Sequence, residues 1–220
     1  MHILARNSNT VSGASSLRPY RWMRLAAVLL LLTGLARTGY AADGPLNQLR
    51  TTIDAVLEVV RVQDLELAIK HENISSIIAG RFDFPRMAQS TLATNWKKAT
   101  PEEKKRFIEL YTRLLHSTYM AHIEGYTDES VEYRNESIKK RRAIVQTVII
   151  SNGIETPVDY KLHEKTTDGT WWVYDVVIEG VSLVSTYRAE YQSIVHSSGI
   201  PGLLEQLENK LQVEAPVSTT

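Results

Sequence analysis

Residues 171–191 read WWVYDVVIEGVSLVSTYRAEY, and the organisation of the chain follows from this stretch. Trp172, Tyr174, Val176 and Ile178 alternate with Val173, Asp175, Val177 and Glu179, a period of two rich in aromatic and β-branched residues that predicts a strand. Gly180 interrupts it. Beyond Gly180 the spacing of Leu183, Val184, Tyr187 and Tyr191 becomes helical, so an aromatic strand feeds an amphipathic helix with almost no loop. Such a corner can form one wall of an apolar pocket.

Upstream of this stretch the alternation continues in three further segments. Val131-Glu132-Tyr133 opens a strand, Lys139 to Arg142 is a charged connection, and Ala143 to Ile150 is a second strand. Asn152-Gly153 is a two-residue hairpin turn, which places Val145 opposite Tyr160 and Thr147 opposite Val158. Pro157–Glu164 is a third strand, and 171–179 the fourth. A three-residue loop at Thr167-Asp168-Gly169 sets Leu162 against Tyr174, Tyr160 against Val176 and Val158 against Ile178. On the reverse face Lys161 meets Asp175; a two-residue loop would put Leu162 beside Asp175 instead.

Helices flank this meander. Pro45–Val62 and Leu65–Ala79 carry apolar residues at helical spacing, and Gly80 ends the second. Asp83-Phe84-Pro85 is a helix start with Asp83 as N-cap, leading to Met87, Leu92 and Trp96. Thr100-Pro101-Glu102-Glu103 is a capping box, followed by the face Phe107, Leu110, Tyr111, Leu114, Leu115, Thr118 and Tyr119 up to Gly125. A helix over 182–196, a break at Gly199-Ile200-Pro201 and a short helix over 202–211 close the chain. Helices, then a meander, then helices predict an α+β fold: a curved antiparallel sheet of about four strands covered by N- and C-terminal helices around an apolar cavity.

Residues 1–41 have the layout of a cleaved secretory signal peptide: arginines without acids, an apolar run over 25–35, and small residues to Ala41. The expected organisation is therefore a signal peptide over 1–41, one α+β domain over 42–212 and a tail over 213–220. The five arginines of residues 1–41, with no acid among them, bring the whole chain to a net charge of 0 and leave the remainder at −5. An acidic exported chain is a poor nucleic-acid binder. There is no Cys, hence neither disulfide nor thiolate metal site, and the fold rests on its core.

No G-x-S-x-G, Walker, G-x-G-x-x-G or H-E-x-x-H pattern is present, and the histidines are scattered. Asp175 is open to two readings, a general base in a cone-shaped isomerase or hydratase fold or the partner of Lys161, and Glu179, at the strand end beside Gly180, is open in the same way. For Asp175 the register favours the second. No catalytic residue, metal ligand or cofactor is expected.

Trp171 to Arg188, with Gly199-Ile200-Pro201-Gly202-Leu203-Leu204-Glu205-Gln206-Leu207 after it, resembles the MlaC family of periplasmic phospholipid-binding carriers, also called toluene-tolerance proteins. Arg81-Phe82-Asp83-Phe84 with Met87, and Ala99-Thr100-Pro101-Glu102-Glu103 running into Phe107, Tyr111 and Leu114-Leu115, match as well. The resemblance spans roughly 45–211. It implies a carrier that encloses acyl chains and shuttles lipid between an outer-membrane lipoprotein complex and an inner-membrane ATP-hydrolysing transporter, with phospholipid as cargo. The apolar faces read above would supply the lining of such a cavity: Phe107, Tyr111, Leu115, Val145, Val158, Tyr160, Tyr174, Val176, Ile178, Val184 and Tyr187. Arg188 or the run Lys139, Lys140, Arg141 and Arg142 would meet a phosphate or an acidic docking partner.

Overall fold

A computed structural model describes residues 43–125, 128–166 and 169–214. The expected signal peptide, residues 167–168 of the β3–β4 connection and the tail beyond 214 lie outside the described residues. Five helices and five strands follow in order: α1 (Pro45–Arg61), α2 (Leu67–Ala79), α3 (Phe84–Leu92), α4 (Pro101–Glu124), β1 (Ser130–Lys139), β2 (Arg142–Ser151), β3 (Ile154–Glu164), β4 (Trp171–Ile178), β5 (Val181–Ser182) and α5 (Leu183–Glu214). The strands form one antiparallel, unclosed sheet in sequence order, as the alternation predicts for an α+β meander.

Local signals set the helix ends. The Asp83 carboxylate accepts from the backbone N–H of Arg86 at 3.1 Å. Thr100 Oγ accepts from Glu103 N at 3.1 Å while Glu103 returns a 2.8 Å acceptor to Thr100 N, completing the capping box. Trp96 sits not on α3 but on a 3-10 turn, Ala93–Lys97, because Ala93 adopts φ 51° and stops the helix. In α5 Gly199 leaves helical geometry at φ 71°, the break read at that position.

The hairpins hold most of the expected register. Val145 pairs with Tyr160 and Thr147 with Val158, and Val158–Ile178, Tyr160–Val176 and Lys161–Asp175 are partners as predicted. Between Lys161 and Leu162 the register shifts, and Leu162 pairs with Val173, not Tyr174. Tyr174 is the extra residue of a β-bulge. The slip carries to the loop, where Lys165 N reaches Thr170 O, so four residues rather than three connect the strands. Two further differences concern extent. The strands β1 and β2 run into the charged stretch, Lys139 pairing with Arg142 around a Lys140-Arg141 turn. Glu179 and Gly180, both at positive φ, form a tight turn into the short fifth strand.

The core has three parts. Helices α3, α4 and α5 bury Phe107, Tyr111, Tyr187 and Tyr191 together, with Phe107 and Tyr111 rings 5.6 Å apart. Leu49 of α1 packs over Ala143, Val145, Leu162, Trp171 and Val173 on the sheet. Val60, Ile74 and Met120 join α1, α2 and the far end of α4. Arg81 ties α1 to the sheet through Thr52 (3.1 Å), Gln48 (2.8 Å) and the Trp171 carbonyl (2.8 Å). Beside it, Phe82 bridges Val173, with Asp83 N donating to Val173 O at 2.8 Å.

Candidate functional site

Where the three core parts meet, the side chains do not interdigitate. A cavity of ≈ 210 Å³ lies between the sheet and α2, α3 and the C-terminal half of α4, walled by Met87, Leu115, Met120, Val158, Val176 and Ile178 among others. A second hollow of ≈ 120 Å³ lies under α1, against Leu49, Ile53, Val56 and Leu57. Ile78, Phe82, Ile123, Ile149 and Tyr160 wall both, so they are two lobes of one apolar region.

Of the residues read from the sequence as lining, Leu115, Val158, Tyr160, Val176 and Ile178 border the larger lobe, and Tyr160 both. Phe107, Tyr111, Val184 and Tyr187 are buried in the helical core instead. Val145 belongs to the packed layer under α1. Tyr174, displaced by the bulge, stacks edge-on to His163 at 5.8 Å with the Arg86 guanidinium over its ring. The lining that sequence reading missed comes from Ile78 and Phe82, from Phe84 and Met87, and from the later turns of α4 at His116, Tyr119, Met120 and Ile123. The i, i+4, i+8 series Leu115, Tyr119, Ile123 is the signal that marks this face.

The polar groups of the wall are few. Burial holds the His116 imidazole below its usual pKa, and its Nε2 has no hydrogen-bond partner. Burial and a Tyr187 contact push the Tyr119 hydroxyl up to about 12, so it stays protonated. Glu129 borders the smaller lobe, its carboxylate accepting from Ser151 Oγ at 2.7 Å and Asp128 N at 3.1 Å, and the rest of the wall is apolar enough to accept hydrocarbon.

Asp175 is buried under the start of α5, and the lining of neither lobe includes it. It accepts from Lys161 Nζ at 2.9 Å, Ser182 Oγ at 2.7 Å and Val184 N at 3.2 Å. Ser182 Oγ in turn accepts from Ser185 N at 3.1 Å. The carboxylate thus anchors the strand-to-helix corner. Arg188, read as a phosphate ligand, donates from Nε and Nη2 to the Ser90 carbonyl at 2.9 and 2.8 Å and locks α5 onto α3.

The run Lys139, Lys140, Arg141 and Arg142 lies at the opposite end of the sheet from the lobes. Along β3, Glu164 beside the run is about 20 Å from Val158 and about 13 Å from Tyr160, the nearest lobe residue on that strand. There the cations line a groove of ≈ 1020 Å³ together with Arg86, Trp96, His163 and Lys165. Buried His163 bonds Asp83 across 2.9 Å. Burial first, and the Arg86 charge second, hold its pKa below the usual histidine value despite Asp83.

These two depressed histidines set a pH dependence. Near pH 6.5 the unfolded chain takes up protons that folded His116 and His163 refuse, so stability rises with pH there. Stability, and with it the melting temperature, should be constant above about pH 7 and fall as pH drops through about 6.5, the unfolding free energy losing at most ~1.4 kcal/mol per pH unit for each group. His116→Gln should flatten part of that slope in thermal melts; an unchanged slope would remove His116 from the account.

The sequence model of the MlaC protein family matches residues 50–209. The chain belongs to the MlaC family. Among curated MlaC relatives, the intermembrane phospholipid transport system binding protein MlaC of Haemophilus influenzae is 17% identical over 196 residues, covering 86% of this chain and 92% of that protein. The toluene tolerance protein ttg2D of Pseudomonas putida is 24% identical over 139 residues, 59% of this chain and 60% of its own length. A solved structure, the phospholipid-binding protein from Ralstonia solanacearum in complex with a phospholipid, superposes with a TM-score of 0.73 at 23% identity, over 79% of this chain and 99% of the other. That likeness shows that the two share a fold. Among the described residues no helix is long and apolar enough to cross a membrane, and no group of three metal-ligating side chains converges.

Proposed function

We propose that this chain is a phospholipid-binding transport protein that carries lipid by its acyl chains. The observation that carries the reading is the two-lobed apolar region left open where three otherwise well-packed core parts meet. Drawing a two-chain lipid out of a bilayer exposes on the order of 30 methylenes at about 0.8 kcal/mol each, so a carrier must shelter nearly all of them. Each lobe offers one chain a largely apolar wall. An engineered apolar cavity of about 150 Å³ takes one benzene, and on that scale the two lobes together hold roughly a dozen carbons. Full loading therefore requires the helices to part from the sheet. Leu115, Val158, Tyr160, Val176 and Ile178 are the sequence-read residues we assign to the tails, with Met87, Met120 and Ile78 beside them.

Residues 1–41 are read as an export signal removed near Ala41, placing the carrier in the periplasm between an outer-membrane lipoprotein complex and an inner-membrane transporter. Holding and releasing lipid is a binding cycle, and the reading assigns it no chemical step. Native mass spectrometry of protein purified from cells tests the assignment. The expected spectrum contains protein carrying the mass of one phospholipid, released on denaturation. Protein that remains empty after incubation with phospholipid vesicles would overturn it.

A further inference from the structure

We infer that the basic groove at the β1–β2 turn is a docking site for an acidic polypeptide segment, separate from the cargo site. Six cations line it (Arg86, Lys139, Lys140, Arg141, Arg142 and Lys165) against the two carboxylates Asp83 and Glu164. Both carboxylates are engaged inside the groove: Arg141 meets Glu164 at 3.2 Å, and His163 and Lys165 meet Asp83 at 2.9 and 3.7 Å. The excess charge is thus carried by the exposed Lys139, Lys140 and Arg142 on the hairpin and by Arg86 on α3. This surplus stands out on a chain that is acidic beyond residue 41.

Position separates the groove from the cargo. It shares no lining residue with either apolar lobe, and its four turn cations lie toward the other end of β3; of the groove cations only Arg86, next to the lobe residue Met87, sits beside the cargo region. Shape argues for a polypeptide over a bilayer. The cations surround a recess floored by Asp83 and His163, which a flat headgroup layer does not enter. The exposed Ile138 and Ile144 flank the turn on the same hairpin, but neither lines the recess itself. Trp96 and Pro85 on the helical wall give a strand or turn an apolar contact between its acidic side chains, and Gln89 gives it a hydrogen-bonding partner. Charge of this kind raises the rate of encounter and weakens with salt, properties that suit a carrier that must dock and leave.

Fluorescence anisotropy with a labelled oligoglutamate peptide tests the proposal on the full mature chain. Saturable binding that weakens with added salt is expected. The variant K139Q/K140Q/R141Q/R142Q should bind roughly 30-fold or more weakly, a few-fold for each charge removed. The charge-matched variant K98Q/K105Q/R113Q/K210Q, which changes four exposed cations outside the groove, should bind as the parent does. Copurified phospholipid, measured in the same preparations, should not change in either variant, which keeps docking separate from cargo. Should the fourfold turn variant melt early, Lys140→Glu at the exposed tip of the turn reads the same effect. Absence of saturable binding, or equal loss in both fourfold variants, would overturn the proposal. So would cosedimentation with phosphatidylglycerol vesicles that needs the four turn cations while the peptide fails to compete, since the partner would then be a lipid surface.

Discussion

Asp175→Ala should cost about 3–5 kcal/mol of stability, the largest loss expected from any single side-chain truncation at the strand-to-helix corner. The substitution removes the acceptor for Lys161, for Ser182 and for the backbone of Val184 in one step. It leaves a half-buried ammonium and the first turn of α5 without their partner. Part of the sum is an ordinary helix cap, worth about 1 kcal/mol. Lys161 is 33% exposed and so recovers some solvation, which holds the total at the lower end of the range for a broken buried pair. Asp175→Asn keeps an oxygen toward Val184 and should lose about 1–2 kcal/mol. Urea melts of the two variants check both numbers. The isomerase reading of this carboxylate requires the opposite pattern, a stable Asp175→Asn protein that has lost a turnover. A melting curve superposable on the parent would reopen it.

The second large effect concerns cargo. Val176→Glu places a carboxylate on the wall of the larger lobe, where Val176 is 7% exposed. An ionised group there lacks a partner and draws in water, at a cost of several kcal/mol to either the fold or the bound tails. Copurified phospholipid should fall more than about tenfold, the equivalent of 1.4 kcal/mol. Ile178→Glu, at the less buried end of the same strand, should do the same with a smaller loss of stability. Val181→Glu, at a residue 58% exposed and outside the lining, should leave lipid content unchanged. Quantitative lipid extraction from matched amounts of folded protein reads all three. Parental lipid content in Val176→Glu and Ile178→Glu would show that the tails lie elsewhere.

The meander was legible because each hairpin supplies two independent constraints that agree. The Asn152-Gly153 turn fixes one register, and the requirement that Val158, Tyr160, Val176 and Ile178 share a face fixes the next. Tyr174 escaped because the alternation Trp172, Tyr174, Val176 is in phase on the page, and a bulge leaves no mark in a period-two pattern. What imposes it is tertiary: Phe82 and Asp83 pair with Val173 on the side away from β3, a contact ninety residues distant in sequence. The α4 stripe failed for a related reason. A helix of 24 residues spans about 36 Å, so its first half meets α5 while its second half meets the cavity. Periodicity reports that a face is covered and says nothing of what covers it. Arg188 was legible as a cation, but its acceptor is the backbone carbonyl of Ser90, which no residue type announces.

The hollow between sheet and helices also makes the folded molecule larger than its atoms require. Unfolding abolishes that surplus, so compression tilts the empty protein toward its unfolded chain more steeply than a solid domain of the same length. Hydrocarbon filling the space removes the surplus and, with it, the susceptibility. On the proposed function the cargo is thereby a structural component of the loaded state, and the vacant protein is expected to be the more compressible and more fragile of the two.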